Sequence, residues 1–355
     1  MQRKDFLKFL SSFDLSAKKL HKLFDFYSQE ELGFEVVFEK DFVGIVGKEI
    51  IAKIQENANM HYFDNYLNQL FDKNIKLVSY EDDAYPQKLR DIEDPPYFLF
   101  CKGDVSLLNR KSIAVVGSRM PSSYGKIVTE RFVKDLAENG VVVISGLAYG
   151  VDSIAHRKTL EVNGQTIAVL GGGFDKVYPS QHTDLAREIA EKGLLITEYS
   201  PAVLPTKYSF PQRNRIVAGL SDGVLITEAG AKSGTMITKD FALDNGISIY
   251  AVPGNITSEK SEGTNNIIAH SQGMCVLSGK DILEDLGITQ NQNKRNFQLT
   301  FEEQMIYDLL CEGEKDVDFL CEKTKIEINR LNGLLVALEI RDIIKKMPGG
   351  VYAAS

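Results

Sequence analysis

The sequence predicts a Rossmann-like doubly wound α/β domain with a mostly parallel sheet, a small helical domain before it and a winged-helix domain after it. Three observations carry that prediction. Between residues 111 and 287, strand-sized apolar runs alternate with helix-length amphipathic stretches. The runs are nearly continuous in Val, Ile and Leu, as expected of a sheet covered on both faces. Several of them end in glycine, which lets a strand turn sharply into a helix.

The expected strands are Ser112–Val116, Val141–Ser145, Thr166–Leu170, Leu194–Thr197, Gly223–Thr227, Ser248–Val252 and Met274–Leu277. Helices are expected between them at Tyr124–Asn139, Val151–Asn163, Thr183–Lys192, Arg213–Gly219, Thr235–Asn245 and Asn265–Ser271. Right-handed crossovers leave few ways to connect these elements.

Before this region, residues 1–75 repeat apolar side chains at helical spacing, among them Phe6, Phe9, Leu10, Phe13, Leu20, Leu23 and Phe24, with Ser16 as an expected helix cap. Such aromatics ordinarily serve as core. Residues 76–110 are punctuated by Tyr85-Pro86 and Asp94-Pro95-Pro96, carry one short strand at 97–100, and read as a segment packed on the next domain. The sheet domain is expected over 76–287 and a polar linker over 288–300. Residues 301–355 show three amphipathic helical stretches, then Ile343–Met347, a Gly349-Gly350 turn and Val351-Tyr352, which is the winged-helix order.

Composition narrows the class. With 43% hydrophobic and 25% charged residues over 355 positions, the chain can bury a sizeable core without metal or disulfides. Cys101, Cys275, Cys311 and Cys321 form no Cys-x-x-Cys pair and the five histidines are dispersed, so no metal site is expected. The apolar runs are too short to span a membrane, and residues 1–9 lack a signal-peptide core; a cytoplasmic protein is expected. The net charge, 41 − 49 = −8, does not exclude a polyanionic partner, because exposed charges beyond about 10 Å are screened.

Ligands of open α/β sheets bind beyond the carboxyl ends of the strands. Those ends carry Gly117-Ser118-Arg119, Ser145–Gly150, Gly171-Gly172-Gly173, Glu228-Ala229-Gly230 and Pro253-Gly254. Each glycine alone need only make a turn; together they suggest an edge open to phosphate. Neither the dinucleotide fingerprint nor a phosphate loop is present, and no cofactor is expected. The stretch Lys207–Arg215 holds three cations (Lys207, Arg213, Arg215) and two aromatics (Tyr208, Phe210) in nine residues. Cations can neutralise phosphates while a ring stacks a base, and Arg119 could face the same groove. Tyr208 has the weaker claim, since alternation along an extended loop could bury it. The plainer alternative is solvated surface charge with one anchoring Phe. Asp152 and His156, four apart on one helix face, could form an acid–base pair, but Asp152 reads more simply as a first-turn residue and His156 as packed. No nucleophile with a base stands out, so no catalytic residue is assigned.

These residues also carry a family signature. Tyr85-Pro86-x-x-Leu89-x-x-Ile92-x-Asp94-Pro95-Pro96, Val116-Gly117-Ser118-Arg119 and Ser145-Gly146-Leu147-Ala148-x-Gly150-x-Asp152-x-x-Ala155-His156 come first. Gly171-Gly172-Gly173-x-Asp175-x-x-Tyr178-Pro179, Phe210-Pro211-x-Arg213-Asn214-Arg215-Ile216 and Glu228-Ala229-x-x-x-Ser233-Gly234-Thr235-x-Ile237-Thr238 follow. Ala251-Val252-Pro253-Gly254 and Gly263-Thr264-Asn265 complete the set. In this order they make the chain resemble the DNA-processing protein A (DprA/Smf) family.

The resemblance implies a non-enzymatic single-stranded-DNA binder that protects incoming DNA in natural transformation and helps load the RecA recombinase. It implies a homodimer and a helical N-terminal domain, SAM-like or helix-hairpin-helix-like. The family's DNA contacts map to Gly117, Ser118 and Arg119 of the Gly-Ser-Arg motif, Lys207 and Phe210, with Arg213 and Arg215 added from their position and charge. Its dimer contacts map near Ile267 and Ile268. Residues 297–355 hold seven Lys/Arg against eleven Asp/Glu, which favours a protein-contact or regulatory tail, although Lys323, Lys325, Arg330, Lys345 and Lys346 could form a basic face. Two rivals remain: a nucleotide phosphoribohydrolase of the lysine-decarboxylase-like group, whose Pro-Gly-Gly-x-Gly-Thr-x-x-Glu hallmark is missing, and a scaffold that binds only proteins.

Overall fold

Successive side chains of a strand point to opposite faces, so a run such as Ser112–Val116 can be buried only between two layers. The computed structural model, which describes residues 1–289, 299–311, 313–341, 343–347 and 350–354, supplies both layers. It divides into two units, Met1–Gln290 and Asn291–Ser355.

The first unit opens with helices α1 (Arg3–Leu10), α2 (Ala17–Phe26), α3 (Lys40–Val46), α4 (Lys48–Glu56) and α5 (Met60–Asp72). Ser16 is the N-cap of α2, although its side chain makes no capping bond. Strand β1 (Lys76–Ser79), helix α6 (Gln87–Arg90) and β2 (Phe98–Gly103) lead into the alternating region. There follow β3 (Ser112–Val116), α7 (Ser123–Glu138), β4 (Val142–Ser145), α8 (Val151–Glu161), β5 (Thr166–Val169), α9 (Thr183–Lys192) and β6 (Leu194–Thr197). Next come α10 (Ser209–Gly219), β7 (Gly223–Ile226), α11 (Thr235–Asp244), β8 (Ser248–Ala251), α12 (Glu262–Ala269), β9 (Met274–Cys275) and α13 (Gly279–Asp285).

The sheet runs β1-β2-β6-β5-β4-β3-β7-β8-β9. Strands β3 to β9 are parallel, whereas β2 pairs antiparallel with both β6 and β1. The expected doubly wound class is therefore what the chain adopts. The segment 76–110 does more than connect: it adds two antiparallel strands to one margin. Strand β1 is four residues long and begins with a charge, too slight a pattern to read in advance.

Alternation assigns each strand residue to a layer. Ile113, Val115, Val143, Leu225 and Tyr250 pack with Phe132, Val133 and Leu136 of α7 and Ile282 and Leu283 of α13. Ala114, Val116, Ile144, Val224 and Ile226 pack on the other face with Ile216 and Val217 of α10, Ala242 of α11 and Ile267 of α12. Strand β2 divides the same way: Leu99 and Cys101 join that second core, while Phe98 and Phe100 join the aromatic cluster of Phe6, Phe9, Phe24 and Phe42 from the N-terminal helices.

The second unit is a winged helix of α14 (Phe301–Cys311), β10 (Lys315–Asp316), α15 (Val317–Thr324), α16 (Ile328–Ile340), β11 (Ile344–Lys346) and β12 (Val351–Ala354). Its sheet order is β10-β12-β11, over a core of Ile306, Leu310, Leu320, Leu331, Leu335 and Leu338. Of the expected linker, residues 290–298 lie outside the described residues, as does Gly349 of the expected turn. Of the cations that could form a basic face here, Arg330 is paired with Glu302 at 2.7 Å and Lys323 lies over the Phe319 ring.

Truncating Phe100 to Ala removes a fully buried ring from the shared aromatic core and should cost about 3–5 kcal/mol. Hydrogen exchange should then rise first across residues 3–72, ahead of β3 and β4. Unchanged protection in those helices would contradict a shared core.

Candidate nucleic-acid interface

The strand order reverses between β3 and β7, and a crevice opens there beyond the carboxyl ends of the strands. It holds a cavity of about 370 Å3 whose lining includes Gly117 and Arg119 after β3, Gly146 and Asp152 after β4, Phe210 and Arg213 on α10, and Ser233–Thr235 at the start of α11.

The Gly117–Arg119 turn is held from both sides. Ser118 N–H donates to the Glu228 carbonyl at 2.7 Å, and the Ser118 carbonyl accepts from Val151 N–H at 3.1 Å. Gly150 makes the second contact possible: its φ is +79°, and a Cβ there would overlap the Ser118 carbonyl. Arg119 itself is exposed. Glu228 is 2% exposed and is consumed by the N-terminus of α7, accepting from Ser122 N–H at 2.7 Å and from the Ser122 hydroxyl at 2.5 Å. Asp175, the other strand-end acid, pairs with Lys73 at 2.6 Å.

The stretch Lys207–Arg215 is largely a helix start rather than an extended loop, since α10 begins at Ser209. That overturns the expected burial of Tyr208 and leaves Phe210 in the crevice. Tyr208 is 69% exposed, with the Lys207 ammonium 5.0 Å from its centroid, whereas Phe210 is half-buried. Phe210 packs on Gly171, where a Cβ would come within 2.9 Å of the ring. Its ring centre lies 5.3 Å from that of the exposed Tyr178. Tyr178 is a neighbour the sequence reading missed, although the Gly171–Pro179 motif contains it. Gly172 and Gly173 also serve packing: they make room for the chain at Ser200, Pro201 and Pro205.

Arg215 stands away from the crevice, and Arg213, Ile267 and Ile268 are turned inward. Arg213 is 4% exposed; its Nη1 donates to the Gly146 and Val169 carbonyls and its Nε to Asn214 Oδ1 at 3.2 Å. Burial pushes it down to about 10 despite nearby Asp152, so it remains a cation at neutral pH. Arg215 pairs with Glu198 and, at 3.3 Å, with Asp94; it lines a different cleft of about 900 Å3 with Lys18, His21 and Tyr199. Ile267 is 1% exposed and belongs to the sheet core, which takes it away from surface contact, while Ile268 is half-buried against that core. The crevice thus unites Gly117, Arg119, Phe210 and Arg213. Lys207 sits in the exposed turn before α10, and Ser118 in the turn between Gly117 and Arg119.

Asp152 and His156 are not arranged as an acid–base pair. The Asp152 carboxylate accepts from Gly146 N–H at 3.1 Å and Ala148 N–H at 3.3 Å, and burial raises its pKa above the ordinary carboxylate range. His156 is fully buried and hydrogen-bonds through Nδ1 to Thr166 Oγ1 at 2.7 Å, while Nε2 has no hydrogen-bond partner among the described residues.

Residues 76–287, more than half of the chain, match the family described as DNA recombination-mediator protein A. The chain is 37% identical over 230 residues to DNA processing protein DprA of Bacillus subtilis, covering 64% of this chain and 75% of that protein. It is 34% identical over 290 residues to Protein Smf of Escherichia coli, covering 78% and 77%. The X-ray structure of DNA processing protein A from Streptococcus pneumoniae superposes with a TM-score of 0.69 at 36% identity, over 80% of this chain and 99% of that one. A structure of DNA processing protein A from Helicobacter pylori, solved for its unique single-stranded DNA binding mode, superposes at 0.54 and 33% identity, over 59% and 95%.

Burial holds the His156 imidazole down at about 3, against an ordinary 6.5. Below pH 6.5 the unfolded chain therefore binds a proton there that the folded chain refuses, and stability falls as pH falls. The expected slope from this residue is about 1.4 kcal/mol per pH unit towards pH 4. Chemical denaturation of the wild type and His156→Asn across that range should show the slope reduced in the variant.

Proposed function

The chain belongs to the DNA recombination-mediator protein A family, and from that membership we propose that it is a non-enzymatic, cytoplasmic binder of single-stranded DNA that protects incoming strands and promotes loading of the RecA recombinase. The observation that carries the reading is the cavity at the β3/β7 crevice, where Arg119 and Phe210 share a lining and Lys207 stands in the turn that leads into α10. A guanidinium and an ammonium can each neutralise a phosphate, and a half-buried ring backed by glycine is a rigid platform for a base. Tyr178 extends that platform. Stacking of this kind contributes about 1–3 kcal/mol per base with little sequence preference, which suits a protein that must accept any strand.

The same reading makes the protein a homodimer. Supporting this, β9 is the terminal strand of the sheet, and Met274 and Leu277 beside it are exposed apolar side chains. It also treats the N-terminal helices (1–75), the sheet domain (76–287) and the winged helix (301–355) as the functional domains, the acidic balance of the last suiting a protein partner.

Purified protein should shift a single-stranded oligonucleotide with strong salt dependence. Arg119→Ala and Lys207→Ala should each weaken binding and lower the slope of log K against log salt by about 0.7, one phosphate contact apiece. Absent or salt-insensitive binding would refute the proposal. Release of free base from nucleoside monophosphates would instead point to the hydrolase class.

A further inference from the structure

Building on the DNA-binding reading, we infer that Arg213 and Asp152 are positioning residues of the groove: they grip Gly146 by its carbonyl and its N–H and so hold the Arg119 turn in register with the helix that carries Phe210. The Gly146 N–H donates to the Asp152 carboxylate at 3.1 Å, and the Gly146 carbonyl accepts from Arg213 Nη1. The same nitrogen reaches the Val169 carbonyl, so one guanidinium ties together the ends of the adjacent strands β4 and β5. A Cβ on Gly146 would lie 2.5 Å from Nη2 and 2.6 Å from Cζ; the guanidinium occupies the space a side chain would need.

The clamp acts in two directions. Asp152 is the second residue of α8, and its neighbour Val151 donates to the Ser118 carbonyl at 3.1 Å, so the first turn of α8 sets the height of the Gly117–Arg119 turn. Arg213 lies three residues after Phe210 on α10, on the same face. Fixing its head fixes the roll of α10, and with it the ring that packs on Gly171. The groove's separation of cation and ring is therefore set by two buried charged side chains beneath it. Arg213 is 4% exposed, and its Nε and Nη1 are engaged by protein oxygens.

Lysine cannot substitute, because an ammonium placed between the two carbonyls leaves the Asn214 oxygen without its Nε donor and the space beside Gly146 without the planar guanidinium. The test uses the full-length chain, a fluorescently labelled oligothymidylate and several salt concentrations, with affinities referred to the folded fraction. Arg213→Lys should weaken binding about tenfold, the size of one lost base stack, and Phe210→Ala should do the same in the wild type. In the Arg213→Lys background, Phe210→Ala should cost less than about twofold more, because the ring is already misplaced. Gly146→Ala, which leaves every charge in place, should reproduce the Arg213→Lys loss and guards against a variant that folds poorly. Additive effects of Phe210→Ala and Arg213→Lys, or wild-type affinity in folded Arg213→Lys and Gly146→Ala, would overturn this inference while leaving the DNA-binding reading intact. Failure of the wild type to bind would overturn both.

Discussion

The strands between residues 112 and 252 carry apolar side chains on both faces, so the sheet exists only while two layers of helix cover it. Most of the molecule's arrangement follows from that constraint. Parallel neighbours need long crossovers, the crossovers become the covering helices, and every crossover leaves its turn at the same edge of the sheet. Where the winding reverses, between β3 and β7, the turns on the two sides diverge and a crevice is unavoidable. The chain lines that crevice with glycine turns, guanidinium groups and a phenyl ring, and Glu228 anchors Ser122, the N-cap of α7.

The doubly wound class was readable because its signal is repeated: seven apolar runs each independently imply a strand, and errors of one or two residues at their ends do not alter the order. The candidate site was readable at Gly117, Arg119 and Phe210, where strand-end position and residue chemistry agree. It was misread where a side chain's direction depends on tertiary contacts. Arg213 and Arg215 look alike in sequence, two cations on one helix turn; a pair of carbonyls takes one inward and Glu198 claims the other. Tyr208 is exposed rather than buried because a helix begins at Ser209, replacing the alternation of an extended loop by helical spacing, while Phe210 keeps its expected place in the crevice. Ile267 and Ile268 are adjacent apolar residues, and only the docking of α12 on β8 reveals that the first is core.

An acidic protein with a net charge of −8 is not an obvious partner for a polyanion. The electrostatics here are local. Acidic residues next to the crevice are neutralised in place: Asp152 by backbone N–H groups and nearby Arg213, Glu228 by the start of α7, Asp175 by Lys73. Arg119 and Lys207, by contrast, are exposed. Screening then separates the field at the crevice from the acidic surface beyond about 10 Å.

Strand β2 lies between two interiors. Leu99 and Cys101 look toward the main sheet core, and Phe98 and Phe100 toward the aromatic cluster of the amino-terminal helices. The amino-terminal bundle is thus a lid over a hydrophobic wall as well as an appendage of the sheet. Cut away at residue 75, it would leave a row of bare phenyl rings on the antiparallel margin, an adhesive face inviting aggregation.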